Sequence, residues 1–242
     1  MFIFDYHLFV NLLKFCDKSH LFPLLLTSKE IKDLTWRHLI DFLNIDLDKV
    51  FIESFEKENL EEILFLLQDS RINPSVQNNS FIRFASFNGY TEVVRLLLQD
   101  PRVDPSDSNN LSIRSACEHG HTEIVKLLLQ DPRVNAGYDN NYCIVWSSWN
   151  NHFEIVRLLL QDPRVDPSCS NNLPIRYAFH NGCIEVVKLL LQDPRVDPNS
   201  IDLCPIIIHH SSYNKYSEII KLMLEDSRMN ENTKKFIEKY KL

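Results

Sequence analysis

The chain has 242 residues, 44% of them hydrophobic, with 26 Lys and Arg against 33 Asp and Glu for a net charge of −7. Its basic residues are scattered among acidic ones, so the clustered positive charge that a nucleic-acid surface needs is missing, and DNA and RNA are not expected partners. Only 4 glycines, 6 cysteines without CxxC or His/Cys metal spacing, and the lack of an apolar run of spanning length argue against a loop-rich enzyme, a zinc or disulfide scaffold and a membrane protein.

The first 45 residues have no internal period. Leu8, Phe9, Leu12, Leu13 and Phe15 suit one amphipathic helix, Leu21 to Leu26 form a second apolar patch, and Ile31 to Leu34 a third. A signal peptide is not expected, because the start carries no basic residue and Asp5 and His7 interrupt the apolar run. The order Leu12-Leu13-Lys14-Phe15-Cys16-Asp17, Leu21, Thr27-Ser28-Lys29 and Leu34 resembles an F-box. It departs at the family's opening Leu-Pro-x-Glu, which is Phe4-Asp5-Tyr6-His7 here. The resemblance implies a hook, with Leu8, Leu12, Leu21 and Leu24 offered to a Skp1-like ubiquitin-ligase subunit. The alternative is an irregular helical cap covering the unit that begins near Phe51.

From Asp69 onward a five-residue signature, Asp-(Pro/Ser)-Arg-(Ile/Val/Met)-(Asp/Asn), recurs at Asp69, Asp100, Asp131, Asp162, Asp193 and Asp226, spaced by 31 residues and finally by 33. Recurrence at such a period marks a stacked repeat array, which offers partners an extended surface. In the unit from Asn109 to Pro132, Ile113, Ala116 and Cys117 form the small apolar face of a short helix, and Gly120 ends it in the left-handed region. Asn151 replaces that glycine one unit on. Thr122-Glu123 opens a second helix, with Ile124, Leu127 and Leu128 on its apolar face, and Pro132 forces a stop at Gln130-Asp131. Asn, Gly and Asp residues between Arg133 and Asn141 then suit a turn into the next unit.

The segments GHTEIVKLLL (Gly120 to Leu129) and GYTEVVRLLL (Gly89 to Leu98), with IRSA (Ile113 to Ala116), resemble the ankyrin repeats. The period is 31 against that family's 33, and its Thr-Pro-Leu-His start is lost, so a shortened hairpin is expected. The resemblance implies an all-α, ankyrin-like solenoid of helix-turn-helix repeats over 46–242, about six units with caps, preceded by the small helical element of 1–45. The Glu-rich unit near Phe51 and the last segment, with Phe236, Ile237 and Tyr240 on one side and a two-residue insertion near Ile206 to His210, fit the caps.

Arg71, Arg102, Arg133, Arg164, Arg195 and Arg228 could form an anion-binding ladder. Each has an Asp two residues earlier, which favours a structural ladder of paired charges. Partner specificity should lie where units differ: Phe87-Asn88, Glu118-His119, Trp149-Asn150 and His180-Asn181 after the small pair of each first helix, and loop positions including Tyr138-Asp139. In the ankyrin family the matching positions line a concave face that touches partners, so Phe87, Tyr138 and Trp149 are expected anchors. Trp146 is assigned to the core, and His119, His121 and His152 to uncharged surface positions. No nucleophile, metal or phosphate-loop constellation occurs, so no enzyme activity and no cofactor are expected. The expected protein is a monomeric, cytoplasmic or nuclear scaffold that binds another protein on its concave face, with a substrate-recruiting link to a ubiquitin ligase if the hook reading holds. Its Asn, Lys, Ile and Phe richness is similar to that of proteins from amoebae and large DNA viruses, where F-box and ankyrin elements occur together.

Overall fold

The computed structural model describes residues 47–57, 59–69, 71–201 and 213–240. The F-box-like stretch with Leu8, Leu12, Leu21 and Leu24, and the insertion near residues 206–210, lie outside the described residues. The described residues form twelve α-helices, one 3-10 turn and no strand. Two compact units divide the chain, 1–73 and 74–242.

In the first unit, α1 (Leu47–Glu56) pairs with α2 (Leu60–Leu66). Phe51 and Phe55 are buried with their rings edge to face at 5.0 Å. Asn59 caps α2: its Oδ1 accepts the Glu62 N–H at 3.3 Å, and its Nδ2 donates to Glu62 Oε2 at 3.0 Å.

The second unit contains α3 (Val76–Asn88), α4 (Thr91–Leu97), α5 (Asp107–His119), α6 (Thr122–Leu129), α7 (Tyr138–Trp149), α8 (Phe153–Leu159), α9 (Cys169–Asn181) and α10 (Ile184–Leu191). It ends with the 3-10 turn Pro198–Ser200, α11 (Tyr213–Glu225) and α12 (Glu231–Tyr240). First helices α3, α5, α7 and α9 pack on one another in order, and second helices α4, α6, α8 and α10 do the same. Between them lie the fully buried residues that the repeat pattern picks out, among them Ile113, Ala116, Cys117, Ile124 and Leu128. Leu127 is only half-buried.

Each first helix ends in a left-handed residue: Gly89 (φ 79°), Gly120 (φ 81°), Asn151 (φ 61°) and Gly182 (φ 69°). The following N–H then reaches back to a carbonyl five residues earlier, as His121 does to Ala116 at 2.9 Å. At the other end of the helix the sequence gives less warning. Gln77–Asn79, Ser108–Asn110, Asp139–Asn141 and Ser170–Asn172 all have positive φ, so one left-handed turn precedes the right-handed helix in each of these four units. Left-handed geometry costs an L-residue roughly 1–2 kcal/mol, and Asn tolerates it better than most. The last Asn of each turn also makes a joint. Asn79, Asn110, Asn141 and Asn172 accept, through Oδ1, the backbone N–H of Asp104, Asn135, Asp166 and Asp197 at 2.9, 2.7, 2.7 and 2.8 Å.

The recurrent arginines form a ladder. Each lies against its own aspartate, for example Arg133 Nη2 on Asp131 Oδ2 at 2.7 Å. Nη1 of Arg133, Arg164, Arg195 and Arg228 donates to the carbonyl of Val103, Val134, Val165 and Val196 in the preceding loop, at 2.8, 2.5, 2.9 and 2.9 Å. The paired guanidinium, by direct hydrogen bonding, holds the carboxyls of Asp100, Asp131, Asp162, Asp193 and Asp226 below their ordinary range. Groups lowered on folding stabilise the fold above their unfolded pKa, and this is lost as pH falls through the folded value. The melting temperature should therefore stay level from about pH 7 to 5 and drop below about pH 4, where unfolded carboxylates take up protons. A melting temperature that stays flat to about pH 2.5 would remove the ladder from the energetics of the fold.

Candidate functional site

Three columns that differ between units, and a fourth that is Arg in three of the four, lie on one face of the first helices. Positions i, i+3, i+4 and i+7 of an α-helix share a face. In α3 these are Ser80, Arg83, Phe84 and Phe87; in α5, Leu111, Arg114, Ser115 and Glu118; in α7, Tyr142, Val145, Trp146 and Trp149; in α9, Leu173, Arg176, Tyr177 and His180. All but Ser115 and Val145 are at least partly open to solvent.

Across α7 and α9 this face becomes a continuous aromatic ridge. Tyr142 and Trp146 have ring centroids 5.6 Å apart, and Trp146 meets Trp149 at 6.5 Å. Trp149 stands edge to face with Tyr177 at 4.8 Å and stacks on His180 at 6.1 Å. Trp146 is half-buried within this ridge rather than in the core. Core positions of the helix are taken by Cys143, Ile144 and Ser147, which point inward and leave Trp146 on the outer stripe. At the α5 end the Arg114 guanidinium lies 4.3 Å from the Tyr142 ring centre and pairs with Asp139 at 2.9 Å. The Tyr142 hydroxyl donates to Glu118 at 2.7 Å, and burial together with that carboxylate pushes its pKa up to about 12. The phenol is therefore a fixed donor over the whole physiological range.

Phe87 is 50% exposed, its ring 4.3 Å from that of His119. Glu118, Trp149 and His180 share its column, whereas Tyr138, 37% exposed, lies at the opposite end of α7 from Trp149 and donates to Asn109 Oδ1 at 2.9 Å. Asp139 lies beside it in the left-handed turn, held by Arg114. The neighbouring amides are engaged within the array. Asn88 donates to the Phe84 carbonyl at 3.0 Å, Asn150 to that of Glu118 at 3.0 Å and Asn181 to that of Trp149 at 2.8 Å.

The histidines divide. His119 is exposed, with Nδ1 2.9 Å from the Ser115 carbonyl. His121 and His152 are not free surface groups: their Nε2 atoms lie 2.9 and 3.1 Å from the carbonyls of Phe87 and Glu118 in the preceding unit. The rings cover the helix-ending glycines so closely that a Cβ on Gly89 or Gly120 would come within 2.7 Å of them. Where the helix ends in Asn151, the next unit has Cys183 in place of the histidine.

Two of the buried thiols are held in their unreactive form. Burial pushes the Cys117 thiol well up and that of Cys169 to about 11, which keeps both protonated. Among the described residues no group of three His, Cys, Asp or Glu is placed to hold a metal, and no helix is long and apolar enough to cross a membrane. An open groove of about 660 Å³ lies between α6 and α8, floored by Leu129 and Leu158 with Pro132 and Pro163. Its lining repeats the Leu-Gln-Asp-Pro-Arg stretch common to the units, so it carries no unit-specific chemistry.

Tyr142, Trp146, Tyr177, Arg114 and Arg176 escape a reading confined to the residues after the small pair. Writing the units in 31-residue register and comparing the i, i+3, i+4 and i+7 columns brings them out. A family model of ankyrin repeats, three copies, matches residues 50–140 and 113–202. No curated protein matches the chain.

Proposed function

The chain belongs to the ankyrin-repeat family, a family of protein-interaction scaffolds, and from that premise we propose that it is a non-catalytic recruiting module that grips a protein partner with its first-helix face. The ridge Tyr142–Trp146–Trp149–Tyr177–His180 carries this reading. Large aromatic side chains at a surface supply contact area at low entropic cost and dominate interface energies. The ridge occupies columns that vary from unit to unit, where selectivity can be written without disturbing the joints. Phe87, His119 and Glu118 extend it toward α3 and α5, and Tyr138 with Asp139 borders it at the loop side.

The N-terminal F-box resemblance supports a finer reading, in which the module brings its partner to an SCF-type ubiquitin ligase by way of Leu8, Leu12, Leu21 and Leu24. One capture experiment separates the parts. Full-length protein should co-purify a target and a Skp1-like subunit from cells of the source organism, and removal of residues 1–45 should lose the subunit alone. Trp149→Ala should keep the subunit and weaken target capture at least about tenfold, roughly 1.4 kcal/mol, with the helical signal unchanged. Undiminished capture by Trp149→Ala would overturn the first-helix reading. A target captured without any ligase subunit would leave a plain binding scaffold or competitor.

A further inference from the structure

Among the described residues, the first-helix face carries one arginine that the array leaves open. Three arginines stand at equivalent positions on α3, α5 and α9. Arg83 is held by the Asn78 carbonyl and by Ser108 Oγ at 2.9 Å. Arg114 is held by Asp139 at 2.9 Å and by the Tyr142 ring. The third, Arg176, is half-buried and makes no ion pair or hydrogen bond among the described residues. The reason is local: the position that supplies Ser108 and Asp139 to the other two is Ile201 in the next unit, which offers no side-chain acceptor. Arg176 directly precedes Tyr177 and stands one turn before His180, the two residues of α9 packed on Trp149.

We propose that the ridge docks a peptide segment of a protein partner that sets an aromatic or aliphatic side chain against Trp149 and Tyr177 and a carboxylate on Arg176. This rests on the first-helix reading and names the chemistry of its partner. The sign comes from what is already engaged. Asp139 is paired with Arg114 and Glu118 already accepts the Tyr142 hydroxyl, so on α9, next to Trp149 and Tyr177, the charge offered to a partner is the Arg176 guanidinium. A carboxylate meets a guanidinium fork able to take it in two parallel hydrogen bonds. The chain's net charge of −7 disfavours an acidic segment over the rest of the surface, which restricts it to this place.

A phage-displayed library of random peptides, about twelve residues long so as to span two adjacent first helices some 10 Å apart, tests this on the full-length chain, on Arg176→Glu and on Trp149→Ala. Wild type should enrich sequences with Asp or Glu within a few residues of an aromatic or aliphatic anchor. Those peptides should bind Arg176→Glu at least about tenfold more weakly, and the variant should enrich basic sequences instead. Trp149→Ala should retain neither set. Arg176→Gln and a salt titration of wild type with the best acidic peptide repeat the test without introducing a new charge, and binding should weaken in both. Peptides that need Trp149 but bind wild type, Arg176→Glu and Arg176→Gln equally would overturn the carboxylate assignment and leave the first-helix reading standing. Selected peptides indifferent to Trp149, or no enrichment at all, would overturn both.

Discussion

Gly120→Val is expected to destabilise the array by about 2–6 kcal/mol, from two separable sources. A β-branched side chain held at a φ of 81° costs on the order of 1–3 kcal/mol. The new Cβ would also come within 2.7 Å of the His152 ring, and relieving such overpacking costs about 1–3 kcal/mol more. The second source belongs to the pair and not to the glycine, which makes it measurable. Gly120→Asn in a His152→Cys background copies the pairing of Asn151 with Cys183 one unit on, and should melt within about 1 kcal/mol of His152→Cys alone. Gly120→Asn opposite the native histidine should cost clearly more. If denaturant melts show the same cost in both backgrounds, the ring contact contributes nothing and only the turn geometry matters.

The second large effect concerns Asn110, which is buried and left-handed and accepts the Asn135 N–H at 2.7 Å. Asn110→Ala keeps the strained backbone, adds roughly 1–2 kcal/mol for an ordinary residue at positive φ, and removes the acceptor of the Asn135 N–H, worth about 0.5–1.5 kcal/mol. A loss of about 1.5–3.5 kcal/mol is expected, with hydrogen exchange accelerated first at Asn135. Asn109→Gly, next to it, relieves strain and forfeits only the surface bond from Tyr138, so it should be neutral or mildly stabilising. Equal losses at the two positions would mean that the joint does not depend on Oδ1.

The helices were legible because their signals are local and repeated. Gly120 and Pro132 act through backbone sterics and Glu123 through the first turn of its helix, all within a few residues, and recurrence at a fixed interval multiplied a weak signal. The Asp-Arg pairs were legible for the same reason. The left-handed turns were not, since no local rule sets three non-glycine residues in a row at positive φ. The Asn-Asn pair was visible in the sequence, but what fixes it is a bond to an N–H 25 residues on. The histidines misled because the carbonyls that hold them are 34 residues back, and a group that binds across a joint looks like any polar residue when its own unit is read alone. Trp146 was placed in the core by its position in the unit, equivalent to Phe84, Ser115 and Tyr177, whereas its neighbours Cys143, Ile144 and Ser147 had already filled the inward positions.

The joints have a direction. Between residues 74 and 201, the carbonyls that accept bonds across a joint, those of Phe87, Val103, Cys117, Glu118, Val134, Trp149 and Val165, all belong to the earlier unit. Their donors, from His121 to Arg195, all belong to the later one. A chain leaving the ribosome therefore completes each unit with acceptors facing the position still to be filled, and a carbonyl left to water is better tolerated than an orphaned N–H. The next unit emerges carrying the donors that close these carbonyl bonds, and its Asp107, Ser108 or Asp139 side chain takes the bonds offered by Asn79, Arg83 and Arg114. Synthesis from the N-terminus thus builds the array in the order in which its bonds can be made, with each finished unit serving as the template for the one behind it.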